Sequence, residues 1–205
     1  MNDLFRNKYR IPSARLQNWN YGLSASYFIT ICTSKHKYFF GDISDNDIIL
    51  SEIGIIVKKE WLRTFKMRSD MNLQNDIYAI MPNHFHAIIT IGENLYNSPK
   101  SDTMHNINDY NYPDDRRRDA VHCVSTNKFG PQSKNLASII RGFKIAVTTN
   151  SRKKHPDFAW QTRFHDHIIR NPAEYKRIFD YIADNPKNWI KDKFYDYKNI
   201  QKNTK

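Results

Sequence analysis

Two histidines stand one residue apart inside the apolar run MPNHFHAIITI, residues 81–91. Alternate side chains of a β-strand share one face, so His84 and His86 would lie side by side on the more open face of a sheet. Neutral imidazoles at this spacing can ligate one divalent ion. A His-x-His pair also arises as two hydrogen-bonded histidines on a half-exposed strand, so a third ligand is needed to decide. The intervening side chains form an apolar set for a layer of helices to cover: Phe85, Ala87, Ile89 and Ile91.

A helix near the C-terminus offers further polar groups. The segment NPAEYKRIFDYIADNP, residues 171–186, starts with a capping asparagine and a proline suited to the first helical turn. Tyr181 lies on the flank of the apolar stripe, and Arg177 and Asn185 lie four residues to either side of it. Pro186 disfavours helical dihedral angles at Asn185, which predicts that Asn185 ends the helix with its side chain free to reach an ion. Alternatively, Tyr181 is one packing aromatic among 12 tyrosines. The predicted stripe is Tyr175, Ile178, Phe179 and Ile182.

Hydrophobic periodicity places these segments in a mixed α+β order. Strands are predicted at 24–34, 76–82 and 84–92, helices at 51–65 and 133–153, and a strand or extended segment at 158–171 before the last helix. This order predicts a ferredoxin-like or RRM-like βαββαβ antiparallel sheet, with helices on one face and an additional C-terminal helix. Residues 1–205 are predicted to form a single domain. Residues 93–132 lack periodicity and are predicted to be a long surface insertion, and residues 190–205 a basic tail.

The charge of the chain is unevenly distributed. Residues 133–205 contain 16 Lys and Arg against 7 Asp and Glu, and carry +9 of the net charge of +11. Such a field suits a polyanion such as nucleic acid, although a solvated basic face explains it equally well. Two cysteines without a C-x-x-C motif, no signal-peptide pattern and no apolar run of membrane-spanning length predict a cytoplasmic protein without a membrane partner.

Three segments together resemble a known family. MPNHFHAIITI resembles the HUH motif (histidine, hydrophobic residue, histidine) of the single-tyrosine HUH transposases. Residues 160–189, WQTRFHDHIIRN followed by EYKRIFDYIADNPKNW, resemble the C-terminal signature of the REP-associated branch of this family. Residues 137–148, ASIIRGFKIAVT, resemble the helix that precedes this signature in the family. The resemblance implies a metal held by His84, His86 and Asn185, and Tyr181 as the nucleophile. The long insertion and the basic tail depart from the family pattern.

The resemblance also implies a reaction and its partners. A DNA transposase of this family cleaves and rejoins single-stranded DNA next to hairpin or palindromic elements, through a 5′-phosphotyrosine intermediate. Mg²⁺ and Mn²⁺ are both expected as cofactors, although two imidazoles suit transition ions such as Mn²⁺ better than they suit Mg²⁺. Relatives of this kind include monomers and homodimers, and both assemblies stay open. Seven basic residues are predicted to contact DNA: Arg141, Lys144, Arg152, Lys153, Lys154, Arg163 and Arg177.

Two alternatives remain from the residues themselves. In the first, the chain is a metal-dependent nuclease in which water attacks the phosphate and Tyr181 is idle. In the second, it is a catalytically silent RRM-like nucleic-acid-binding module. A covalent protein–DNA adduct separates the transposase from the nuclease, and metal binding separates both from the silent module.

Overall fold

The structure is a computed structural model that describes residues 16, 19–98 and 133–195. Positions 99–132 of the predicted insertion and 196–205 of the predicted tail lie outside these residues. The strands are β1 (Ala25–Cys32), β2 (Gly41–Ser44), β3 (Asp47–Leu50), β4 (Leu73–Met81), β5 (His84–Ile91) and β6 (His165–Ile169). The α-helices are α1 (Glu52–Lys66), α2 (Leu136–Ser151) and α3 (Pro172–Asp184), and 3₁₀ helices span Ser34–His36, Ser69–Met71 and Pro186–Lys191.

The main sheet has the strand order β4-β5-β1-β6, and every neighbouring pair is antiparallel. With α1 after β1 and α2 after β5, this confirms the predicted ferredoxin-like βαββαβ arrangement. The histidine strand β5 is central, because it pairs with β1 on one side and with β4 on the other.

Two apolar clusters cover the two faces of the sheet. The larger one joins Phe85, Ala87 and their neighbours to α1 and α2, and it contains the buried Trp61. The smaller one joins Ile88 on the opposite face to Ile178 and Ile182 of α3. Thus α1 and α2 lie on one face, and α3 covers the face that carries the histidines.

Side-chain caps fix where α1 and α3 begin. The Ser51 side chain accepts a hydrogen bond from the Gly54 N–H, and the Asn171 side chain accepts one from the Glu174 N–H. The apolar stripe predicted for α3 is wrong at one position, since Phe179 is 37% exposed while Ile178 and Ile182 are buried. Phe179 instead stacks on Tyr175, with 6.3 Å between the ring centroids.

The β2–β3 hairpin is absent from the sequence prediction. Its turn residues Asp45 and Asn46 have φ of 52° and 66°. A two-residue turn with both φ values positive is the hairpin turn that Asn and Asp tolerate best after glycine. Among the described residues, no helix is long and apolar enough to cross a membrane.

Candidate metal and tyrosine site

The two histidines open β5 immediately after the turn at Pro82 and Asn83. His84 is 0% exposed and His86 is 1% exposed, with 4.5 Å between their ring centroids. The prediction that they occupy an open face is therefore wrong. Trp189 and Phe194, from the segment that follows α3, pack against the His84 ring at centroid distances of 5.9 and 4.8 Å.

Neighbouring side chains orient both imidazole rings. Nδ1 of His84 lies 2.8 Å from Oδ1 of Asn83, and Nδ1 of His86 lies 2.8 Å from Oγ1 of Thr30. An amide oxygen only accepts, so Nδ1 of His84 is the protonated nitrogen and its Nε2 carries a lone pair. The Thr30 hydroxyl can either donate or accept, and in the tautomer in which it accepts from Nδ1, Nε2 of His86 carries the lone pair too. Metal-ligating histidines are commonly oriented by such a bond from the second ring nitrogen.

Burial keeps both rings uncharged. It lowers the pKa of His86 from the usual 6.5 to about 3, and the Lys193 ammonium adds to the shift. Burial, followed by the charge of His86, lowers the pKa of His84 well below its usual value. Neutral imidazoles are the form that binds metal ions, so both rings are ready to act as ligands at neutral pH.

The last turn of α3 brings Tyr181 and Asn185 to the histidines. The Tyr181 hydroxyl lies 3.3 Å from Nε2 of His86. Asn185 is 3% exposed and caps the helix with φ of −59° and ψ of −43°. Asn185 does end the helix, as predicted, but the expectation that its dihedral angles would not be helical is wrong, because Pro186 opens a 3₁₀ helix directly after it.

Asp192 is a candidate ligand that the sequence reasoning missed. Ligand atoms of His84, His86 and Asp192 all lie within 4.8 Å of one another. Asp192 Oδ1 accepts the Phe194 N–H at 2.7 Å, and its Oδ2 lies 3.5 Å from Nδ2 of Asn185. Asp192 belongs to the segment read as a basic tail, and no helical spacing links it to Tyr181. Only the 3₁₀ helix at Pro186–Lys191 turns it back to the site.

Two buried polar atoms show that a metal ion fits this group. Nε2 of His84 and Oδ1 of Asn185 have no hydrogen-bond partner among the described residues. Asn185 is near enough to His84 to raise its pKa slightly, yet no hydrogen bond of normal geometry joins the two atoms. Unpaired buried polar atoms are costly unless a ligand or ion satisfies them. Two imidazole nitrogens with amide and carboxylate oxygens form a donor set that suits Mn²⁺ and other divalent transition ions.

Tyr181 is partly buried at the edge of this group. Its side chain is 43% exposed, and its ring meets Phe28 edge-on at 6.1 Å. Burial raises the pKa of Tyr181, and the Asp192 carboxylate raises it further, while Asn185 acts in the opposite direction. The phenol is thus neutral in the metal-free protein, and it is held at the rim of the ligand cluster.

Most of the predicted DNA contacts have other partners in the structure. The residues from 141 to 154 lie on or just after α2, on the sheet face opposite to the histidines. Lys144 donates to the backbone oxygens of Gln161 and Arg163 at 2.8 and 2.9 Å, and burial lowers its pKa to about 8. Other partners are Phe158 O for Arg152, Asn150 for Lys153, Glu52 for Lys154 and Glu174 for Arg177. Arg141 is exposed on α2, and Arg163 lines a cleft next to the histidines.

The second His-x-His pair lies on β6, across β1 from the first. Thr30 pairs with His86 on one side and with His165 on the other, so His165 lies in the same cross-strand row as His86. His167 lies one pair further and bonds Glu174 at 2.8 Å, near the start of α3. Of the two, His165 is thus the one in register with His86.

Comparisons with known proteins place this geometry in context. No model of a known protein family matches the sequence. A Haemophilus influenzae protein, described as uncharacterized, is 33% identical over 184 residues, which are 89% of this chain and 92% of that protein. The chain belongs to the same family as this protein.

Two solved structures are similar to the chain. A REP-associated tyrosine transposase bound to a REP hairpin has a TM-score of 0.49 and 18% identity, over 89% of this chain and 73% of that one. A candidate transposase from Deinococcus radiodurans has a TM-score of 0.39 and 10% identity, over 82% of this chain and 95% of that one. Both are described as transposases, the class that the sequence motifs resemble.

Proposed function

We propose that this protein is an HUH-type DNA transposase that cuts and rejoins single-stranded DNA with Tyr181 as its nucleophile. One observation carries the proposal: the Tyr181 hydroxyl lies 3.3 Å from Nε2 of His86, inside a group of buried side chains suited to hold a divalent ion. A nucleophile this close to metal ligands is placed to attack a phosphate bound at the same site. A packing tyrosine would not need its hydroxyl at this position.

The proposed step exchanges one phosphodiester for another. The Tyr181 oxygen attacks a backbone phosphorus and loses its proton, and the bond from phosphorus to the 3′ oxygen breaks. The 3′ oxygen takes up a proton and leaves as a hydroxyl, while the 5′ end stays on Tyr181 as a phosphotyrosine. Because the ester bond is conserved, a 3′-hydroxyl can reverse the step and rejoin a strand without ATP.

The residues around Tyr181 divide the remaining tasks. His84 and His86 remain neutral and offer Nε2 lone pairs, and Asn185 and Asp192 add oxygens on the α3 side. When bound there, a divalent ion would neutralise charge on the scissile phosphate. Phe28 contacts both the His86 ring and the Tyr181 ring, and it thereby fixes the position of the nucleophile relative to the ligand. Mn²⁺ is the proposed ion, and Mg²⁺ is the second choice because it prefers an all-oxygen shell.

Single-stranded DNA with hairpin elements is the proposed substrate. The motif resemblance and the +9 charge of residues 133–205 both support it. Tyr181 itself is 43% exposed, so a strand can approach it from solvent.

Adduct formation tests the proposal directly. The protein is incubated with Mn²⁺ and a pool of single-stranded genomic hairpins, boiled in detergent and digested for mass spectrometry. We expect a DNA adduct on the peptide that contains Tyr181. Tyr181→Phe removes only a half-exposed hydroxyl, so we expect normal folding and hairpin binding but no adduct and no cleavage.

A matched control is available on the same helix. Tyr175→Phe also removes one phenol oxygen from α3 but faces the small apolar cluster, and we expect it to form the adduct normally. If Tyr181→Phe cleaves at the wild-type rate without an adduct, water is the nucleophile and the chain is a hydrolytic nuclease. If neither the wild type nor any variant cleaves or binds metal, the chain is a silent nucleic-acid-binding module.

A further inference from the structure

An open cleft of about 560 Å³ lies directly beside the ligand cluster. One wall comes from the end of β1 and the 3₁₀ helix after it, the second from the segment leading into β6, and the third from Lys193 and Phe194. Thr30 belongs to both places, because it lines the cleft and its hydroxyl orients His86 at 2.8 Å. The cleft therefore begins one side chain away from the proposed reaction centre.

The cleft is positively charged. Arg163 and Lys193 line it, and none of the described residues that line it is Asp or Glu. The field of Lys193 reaches the whole site: after burial, its ammonium is among the causes that lower the pKa of His86 and of His165. The cleft therefore favours a ligand that carries negative charge.

Flat rings line the same cleft. The Phe194 ring stacks on His36 with 5.4 Å between centroids and 19° between planes, and Lys193 Nζ lies 4.7 Å from the Phe194 centroid. His36 holds a left-handed backbone with φ of 52°, which is uncommon for a residue other than glycine. Such local strain persists only where surrounding contacts maintain it.

Asn83 ties these walls to the metal ligands. Its Nδ2 donates to the backbone oxygens of Phe194 at 2.7 Å and of His36 at 3.3 Å, while its Oδ1 accepts from Nδ1 of His84. One fully buried amide thus fixes both aromatic walls and a ligand histidine in a single geometry. Asn83 therefore holds the walls of the cleft as well as the ligand His84.

We infer that this cleft binds one unpaired nucleotide of the DNA strand, next to the phosphate that Tyr181 attacks. Its base lies along the edge of the stacked Phe194 and His36 rings, beside Gln161, which also lines the cleft, and its phosphate faces Lys193 and Arg163. This inference rests on the proposed function, because it names the part of the substrate that the site holds during strand transfer.

Oligonucleotide binding in EDTA tests the cleft apart from the chemistry. The probe is a fluorescein-labelled DNA pentanucleotide pool of random sequence, followed by fluorescence anisotropy at fixed salt. We expect Lys193→Gln to weaken binding about fivefold or more, since it loses a phosphate contact at the cleft. Lys191→Gln removes the same charge two residues away, outside the cleft, and should change binding less than about twofold by the same reasoning.

A second arm tests the aromatic walls. The wild type should bind the pentanucleotide pool about fivefold or more tightly than an abasic pentamer with the same phosphates, as expected when one base contacts the aromatic wall. Phe194→Leu should remove this preference while retaining the dependence on Lys193. If Phe194→Leu does not fold, the comparison of the two probes on the wild type decides this arm alone.

Three results would overturn the inference. These are equal losses in Lys193→Gln and Lys191→Gln, equal binding of the abasic and normal pentamers by the wild type, and tighter binding of an RNA pool of the same length. The adduct assay with Tyr181 tests the proposed chemistry separately from the nucleotide cleft. If the wild type forms no adduct but the pentamers bind as expected, the proposed chemistry fails and the nucleotide cleft stands. If adducts form but the cleft variants behave alike, only the cleft assignment fails.

Discussion

Acid should destabilise the metal-free protein, because two imidazoles are buried in their neutral form. The pKa of His86 is about 3 in the folded protein, against about 6.5 for an unfolded histidine. A histidine with a lowered folded pKa contributes full stability above pH 6.5, and that stability is lost as pH falls from there toward 3. At pH 5 the unfolded chain gains a proton that the folded ring does not take up. The loss relative to pH 7.5 is about 2 kcal/mol from His86 alone.

Urea unfolding in EDTA at pH 7.5 and pH 5.0, at constant ionic strength, measures this loss. His86→Gln keeps a polar side chain that does not titrate, so its free energy of unfolding should fall about 2 kcal/mol less than that of the wild type. His84→Gln should behave in the same direction, since burial also lowers the pKa of His84.

The lower pH is chosen to isolate the histidines. The pKa values of the carboxylates Glu52, Asp70 and Glu174 are lowered in the folded protein, so these groups stay charged further into acid than free carboxylates. If the wild type and His86→Gln lose the same stability between the two pH values, His86 is not held neutral by burial. The argument that both rings are preformed neutral ligands would then be wrong.

Three further predictions concern the metal, the insertion and the substrate. Mn²⁺ should raise the melting temperature of the wild type, and His84→Ala or His86→Ala should abolish this rise. Asp192→Asn should weaken Mn²⁺ binding about tenfold or more, measured by calorimetry. Unchanged affinity in Asp192→Asn would place this carboxylate outside the coordination shell. Replacing residues 99–132 by a short Gly/Ser linker should leave the melting temperature nearly unchanged. Tyr96 and Lys134, on either side of the segment, both bond Asp70, and a shorter loop changes the entropy of loop closure little. A collapse of stability would show that the segment belongs to the core. Hairpin binding should fall steeply with salt, and a duplex that binds better than a hairpin at matched salt would contradict the proposed substrate.

Local patterns were enough to predict the architecture and the histidine pair. The alternation along residues 84–91 predicts a strand with one apolar face, and Phe85 and Ala87 do lie under α1 and α2. The caps Ser51 and Asn171 mark the starts of two helices. These features depend on neighbours within about four residues, where the geometry of a helix or strand is fixed. The β2–β3 hairpin also had a local signal, the Asp45-Asn46 turn, but its strands of four residues each are too short for a clear period.

The sequence by itself therefore determined the order along the chain of the four main strands and three helices, the position of His84 and His86 on one face, and the spacing of Tyr181 and Asn185 along one helix. Only the tertiary structure decided that the histidine face is closed, that Asp192 returns to it, and that Asn83 joins the site to a neighbouring cleft. Asn83 reaches Phe194 across 111 positions of sequence, and Tyr181 reaches His86 across 95. Contacts at such separations follow from how whole elements pack, and a period of two or 3.6 residues contains no information about them.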